Sequence, residues 1–184
     1  LLTFGFSKDA SVRILSYEKT QSGMTISYQL PNKEDLTVHL SSYHKHYPTS
    51  VAAAICVCLA TKTSTKKFVE ALQSFCGLEG RFRKLTPAQG PTVIDDCYNA
   101  NPESMESGIE TFLETYKKER KLLILGSMKE LGELSEKAHR KIAHLLHQQK
   151  NTSVFTIGEE AKWIADELQH LGFCENRLVS YDHV

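Results

Sequence analysis

Apolar and polar positions alternate with a period of two along residues 11–15, 24–30 and 36–40, as in Met24-Thr-Ile-Ser-Tyr-Gln-Leu30. Such alternation puts successive side chains on opposite faces of a half-buried strand. Turn residues separate the runs, at Gln21-Ser-Gly23 and Pro31-Asn-Lys-Glu-Asp35, so an antiparallel meander is predicted. The period then disappears. Pro48-Thr-Ser50 opens a wholly apolar, alanine-rich run over 51–60, which predicts a buried helix. Residues 66–75 predict a second helix, with Phe68, Leu72 and Phe75 on one face, a cap within Thr63-Ser-Thr65 and Gly77 as its stop.

Beyond Gly77 the pattern changes again. Short apolar runs at 92–95, 121–125 and 153–157 are separated by helical segments at 102–119, 135–149 and 159–171. In the first of these segments Met105, Ile109, Phe112, Leu113 and Tyr116 recur at helical spacing. This alternation predicts an α/β domain with a parallel sheet and crossover helices, and residues 177–181 add a fourth strand. The boundary between a mixed first part, 1–78, and this second domain, 79–184, falls at the change of pattern. A doubly wound domain usually carries more strands, and Leu1-Leu-Thr-Phe-Gly5 has neither an initiator methionine nor a basic leader, so a longer natural chain is expected.

Composition narrows the function classes. Lys+Arg and Asp+Glu balance at 22 each with no long basic run, so neither nucleic acid nor an anionic membrane is favoured as a partner. No apolar run is long enough to span a bilayer, and a soluble, cytoplasmic monomer is expected. The five cysteines are odd in number and lack Cys-x-x-Cys spacing, which disfavours structural zinc and a disulfide framework. Cys97 lies beside two carboxylates, whose charge raises a thiol pKa; it is expected as a small buried side chain, not a nucleophile. Among the eight histidines only His44-Lys-His46 suggests metal binding, and its spacing defines no ligand set.

The stretch 78–101 concentrates the candidate chemistry. It holds a Gly80-Arg81 turn, an apolar run ending in Asp95-Asp96, and Asp96-Cys-Tyr-Asn-Ala-Asn-Pro102 leading into a helix. Strand ends of this kind collect backbone N–H groups and polar side chains around ligands. Arg81 reads either as an anion-binding fork or as a surface arginine paired with Glu79. Asp96 reads as a ligand carboxylate or as a cap for the next helix, a job Asn101 fills equally well. Tyr98, Asn99 and Asn101 are divided between ligand contact and turn geometry, and Asp95 is assigned to structure. Lys129, Glu130 and Gly132 occupy the loop after the second parallel strand, while Met128 and Leu131 are expected to pack. His139, followed by Ile142 and Leu146, reads as a partly buried helical histidine and not as a base.

Three ordered motifs carry a family resemblance: Leu78-Glu-Gly-Arg-Phe82, Ile94-Asp-Asp-Cys-Tyr-Asn-Ala-Asn-Pro-Glu-Ser-Met105, and Leu123-Ile-Leu-Gly-Ser-Met-Lys-Glu-Leu-Gly-Glu133 with Ser135 and His139. Together they resemble the Mur ligases; Thr3-Phe-Gly5 and the alanine-rich helix match more weakly. The resemblance implies a C-terminal Rossmann-like domain over 79–184, preceded by the later part of a mixed α/β central ATPase domain. It implies an ATP-dependent amide-bond ligase of peptidoglycan precursor synthesis acting through an acyl phosphate. The Tyr-Asn-Ala-Asn-Pro wording favours members that join D-Ala-D-Ala to UDP-N-acetylmuramoyl-tripeptide.

Residue roles follow from the same likeness. Arg81 matches the family arginine that reaches an ATP phosphate when the domains close, and Asp96 the aspartate that holds the ribose hydroxyls. His46, Tyr98 and Asn101 fall on the nucleotide side; Asn99, Lys129 and Glu130 on the amino-substrate side. Magnesium is held in the family by groups earlier than Leu1. No Gly-x-x-x-x-Gly-Lys-Ser/Thr phosphate loop occurs here, so these residues alone are expected not to catalyse ligation.

Departures from the family pattern are specific. His44-Lys45-His46-Tyr47 stands where a Gly-Arg-His-Asn type run is usual, so only His46 fits, and Tyr47 offers a stacking face without an amide's paired donor and acceptor. Ser127 stands where aspartate is more frequent, and Cys97 where serine is. Tyr47 and Ser127 motivate a second reading, a non-catalytic ligand-binding module derived from a ligase. A folylpolyglutamate synthetase-like ligase is a third.

Overall fold

The computed structural model describes residues 1–20, 23–75, 77–183, and these divide into two compact units, Leu1–Asp95 and Asp96–Val184. The expected turn at Gln21-Ser22 lies outside the described residues.

In the first unit β1 (Phe4–Gly5), β2 (Val12–Thr20), β3 (Gly23–Gln29) and β4 (Asp35–Leu40) form one sheet in that order. The three longer strands run antiparallel, as their alternation predicts, whereas β1 joins β2 in parallel. Two residues are too few to show a period, so nothing in the pattern announced β1. Val12, Ile14, Met24, Ile26, Tyr28, Val38 and Leu40 meet Val51, Ala52, Ile55 and Cys56 of α1 (Tyr47–Ala60) in one core. Each fully buried aliphatic side chain there is worth about 1.5–3 kcal/mol. α1 starts before the apolar run because Pro48 sits in its first turn, where the missing N–H is no loss. The buried Tyr28 hydroxyl donates to the Pro48 carbonyl at 2.9 Å, tying sheet to helix, and burial raises the phenol's pKa.

α2 (Thr65–Gln73) is capped by Ser64, whose Oγ accepts from the Lys67 N–H, and lays Phe68, Val69 and Leu72 on the same core. The unit ends in a hairpin. β5 (Arg83–Leu85) pairs antiparallel with β6 (Val93–Asp95), which corrects the expectation that residues 92–95 form the first parallel strand. The connection over 86–92 carries two prolines and a glycine, long enough for a hairpin and too short for a crossover helix.

The second unit opens with α3 (Pro102–Thr115) and continues through β7 (Lys121–Gly126), α4 (Ser135–Leu146), β8 (Thr152–Ile157), α5 (Lys162–His170) and β9 (Leu178–Tyr181). The three strands are parallel in the order β7-β8-β9. Ile109, Ile142, Leu146, Ile164 and Leu168 from the helices bury against Leu123, Leu125 and Val154. Alternate β7 residues, Leu122 and Ile124, are exposed, so these helices cover one face of the sheet. Lys121 is buried yet satisfied: its Nζ donates to the carbonyls of Tyr116 and Glu119, where the C-terminal end of α3 favours a cation. Among the described residues no helix is long and apolar enough to cross a membrane.

Candidate functional site

At the carboxyl end of the parallel sheet, the segments after β7 and β8 are joined by polar contacts. Lys129 Nζ donates to both carboxylate oxygens of Glu160, at 2.8 and 2.6 Å. Ser127 Oγ accepts from the Ala161 N–H at 3.1 Å and also bonds Glu160. The Lys129 bond, foremost, with Glu160's own backbone and Ser127 behind it, holds the Glu160 carboxyl down at about 2. Gly158 makes this junction possible. It has φ +105°, and a Cβ there would lie 2.5 Å from Ser127 Oγ.

His139 fixes the same loop from beneath. It is fully buried rather than partly so, with Nε2 accepting from the Met128 N–H at 2.9 Å and Nδ1 2.7 Å from the Ser135 carbonyl. That pairing selects the neutral tautomer with its proton on Nδ1. Its ring meets Trp163 edge-on at 5.7 Å. A histidine with both nitrogens spent on backbone is a staple for the loop. Met128 is fully buried and Leu131 packs on the core, as expected, leaving Lys129 and Glu130 as the loop's outward groups. Glu130 takes a left-handed φ of +64°, followed by Gly132 at +53°.

The turn after β6 is built differently. Asp95 Oδ2 accepts from the Gly80 N–H at 3.1 Å, a structural role. Asp96, Cys97, Tyr98 and Asn99 are exposed; Cys97 is therefore not the small buried side chain expected, because no core lies beneath a turn that has just left its strand. Ala100 packs on the second unit's core and Asn101 caps α3. The Asn101 Oδ1 accepts from the Ser104 N–H at 2.9 Å while Ser104 Oγ accepts from the Asn101 N–H at 3.2 Å, a reciprocal capping box.

In the first unit Arg81 lies between two left-handed residues, Gly80 at φ +68° and Phe82 at φ +50°. For a bulky residue such as Phe82 this backbone costs on the order of 1–3 kcal/mol. The Phe82 ring packs against His44 at 4.9 Å, and His44 also neighbours His46 and Tyr47 at 5.4 and 5.5 Å. Burial, followed by the charges of His46 and Lys45, lowers the His44 pKa to about 4. His46 precedes α1 and is exposed.

The structure thus gathers Lys129 and Glu130 at one sheet edge and sets Asp96, Tyr98, Asn99 and Asn101 on the turn leading into α3. Arg81 and His46 belong to the first unit. Sequence reasoning missed Gly158 and Glu160, and it named His44 without its contact to Phe82. Glu160 follows a parallel strand's carboxyl end and was legible by the rule that singled out Lys129. The His44 contact was not, because Phe82 is far away in sequence. Among the described residues no group of three His, Cys, Asp or Glu side chains is placed to hold a metal ion, so no magnesium ligand is assigned within them.

A three-stranded parallel sheet carries a polar junction at the carboxyl end of its strands, and a Gly-Arg turn precedes it in the chain. Residues 80–184 match the family description "Mur ligase, glutamate ligase domain", and the chain belongs to the Mur ligase family. The UDP-N-acetylmuramoyl-tripeptide–D-alanyl-D-alanine ligase of Rickettsia prowazekii is 26% identical over 169 residues, 91% of this chain and 37% of that protein. The enzyme of the same name from Bacillus subtilis is 36% identical over 104 residues, 55% of this chain and 22% of that one. Among solved structures, MurF ligase from Thermotoga maritima in complex with ADP superposes with a TM-score of 0.76 at 24% identity, covering 98% of this chain and 39% of that one. The matches span between 22% and 39% of the length of these relatives, well under half of each.

Proposed function

We propose that this chain is a portion, holding the later part of the central domain and most of the C-terminal domain, of a cytoplasmic, ATP-dependent ligase that joins D-Ala-D-Ala to UDP-N-acetylmuramoyl-tripeptide. The observation that carries the reading is the family match over residues 80–184, together with relatives of that one activity. In the reaction the γ-phosphoryl group passes to the acceptor carboxylate and ADP leaves. The amine nitrogen then attacks the acyl carbon, phosphate departs, and the nitrogen loses its proton to give the amide. Positioning and charge do most of the work in such transfers.

This chain's residues divide that work. Arg81 meets a phosphate oxygen through its guanidinium fork, and Asp96 accepts the two ribose hydroxyls. His46 and Tyr98 flank the base and sugar. Asn101 serves the nucleotide side through its amide nitrogen, since Oδ1 is committed to the α3 cap. Asn99, Lys129 and Glu130 receive the dipeptide, Lys129 exchanging Glu160 for the dipeptide's carboxylate and Glu130 facing its ammonium group. Magnesium is held by residues outside this chain. The portion alone is inactive for lack of a phosphate loop.

The test is phosphate release by the longer polypeptide with ATP, UDP-N-acetylmuramoyl-tripeptide and D-Ala-D-Ala, set against glutamate as the amine. Turnover with the dipeptide only is expected. Turnover with glutamate only favours the folylpolyglutamate-type ligase, and a folded protein with no turnover favours the non-catalytic module.

A further inference from the structure

The Gly80-Arg81-Phe82 turn is held at both ends by groups remote in sequence. On one side the Asp95 carboxylate accepts from the Gly80 N–H at 3.1 Å, and the pairing of Arg83 with Asp95 in the β5–β6 hairpin fixes that carboxylate beside the turn. On the other side the Phe82 ring meets the His44 edge at 4.9 Å. His44 is itself pinned, its Nδ1 3.2 Å from the His46 N–H it accepts and its ring beside Tyr47. Within the turn the Arg81 N–H donates to the Leu78 carbonyl at 3.1 Å. Arg81 is thus the middle of three residues whose neighbours both adopt left-handed backbone, and an aromatic side chain takes that conformation only where its surroundings enforce it.

We infer that His44 and Asp95 are positioning residues for Arg81, His44 by locking Phe82 in its left-handed conformation and Asp95 by locking Gly80. The inference rests on the proposed phosphate role of Arg81 and deepens it. Burial keeps the imidazole uncharged at neutral pH, and the anchor works through ring packing.

Two measurements test it. In the longer enzyme, His44→Ala and Asp95→Ala are each expected to lower kcat at least tenfold, with the KM for D-Ala-D-Ala unchanged. In an Arg81→Ala background neither is expected to add a further loss, since the residue they position is gone. His44→Phe, which keeps an aromatic face against Phe82, is expected to restore most of the rate. Equal fold-losses with and without Arg81 would show that the two residues merely support the fold, and would overturn the inference. Full activity of Arg81→Ala alone would instead remove the phosphate role, a separate failure. Amide hydrogen exchange on this chain tests the anchoring without catalysis. Asp95→Ala should speed exchange at Gly80, and His44→Ala at Phe82, with the melting temperature held; unchanged exchange at both sites overturns the inference.

Discussion

Glu160 shows how a single carboxyl reports on its surroundings. Its pKa lies near 2 because Lys129 donates to both of its oxygens, with help from its own backbone and from Ser127. A carboxyl depressed on folding stabilises the native state fully above its ordinary value of about 4.5. That contribution is lost as pH falls from there through about 2. Lys129 is 68% exposed, so solvent screens the pair and its net worth is at most about 1 kcal/mol. Lys129→Met is expected to move the Glu160 pKa upward toward the ordinary range, read by carboxyl carbon chemical shifts across a pH titration. A value still near 2 would mean that Ser127 and the backbone hold it unaided. His44 is also shifted downward, by burial first and then by the charges of His46 and Lys45. Its folded pKa of about 4 lies below the ordinary 6.5, so native stability rises with pH across that window.

Among the elements, α3 depends most visibly on its first residue. The Asn101–Ser104 box satisfies two backbone donors, and Pro102 supplies a preset φ at the start of the helix. Asn101→Ala is expected to cost about 1 kcal/mol in urea denaturation, within a range of roughly 0.5–2. Asn101→Asp, which keeps the acceptor, is expected to cost little. The same residue is proposed to face nucleotide, so an Asn101→Asp enzyme that stays folded while its KM for ATP rises would separate the two roles.

Elements with a clear period were legible in the sequence. β3 and β4 alternate, α4 and α5 carry apolar residues every three or four positions, and Ser64 precedes α2 as a cap. Residues 93–95 were misplaced because three apolar-to-acidic positions fit a buried parallel strand and a hairpin arm equally well. Only the short connection before them decides. At the candidate site, residue types were readable but their pairings were not. Nothing local links Lys129 to Glu160, 31 residues on, or His44 to Phe82.

For the molecule as a whole, each unit has a core of its own. Val12 through Cys56 form one, and Ile109 through Phe173 the other. Units of about 90 residues are large enough to fold alone. Residues 96–184 produced by themselves are expected to give a single cooperative thermal transition with the far-ultraviolet signature of a mixed α/β unit. The family match begins earlier, at residue 80, and so takes in the β5–β6 hairpin that the contacts assign to the first unit. Comparing 80–184 with 96–184 measures what that hairpin contributes: equal midpoints mean that it belongs energetically to the first unit, and a higher midpoint for 80–184 that it belongs to the second.

The approach of Gly158 to Ser127 has an evolutionary corollary. A methyl group at 158 would intrude on the Ser127 hydroxyl, and its backbone is one that side chains resist, so positions 127 and 158 share a single small volume. In a saturation screen of paired substitutions they should show strong epistasis: Gly158→Ala harmful while Ser127 is kept, and partly relieved when combined with Ser127→Gly. Mutational drift at one position would then be gated by the other, although the whole of α4 and β8 separates them along the chain.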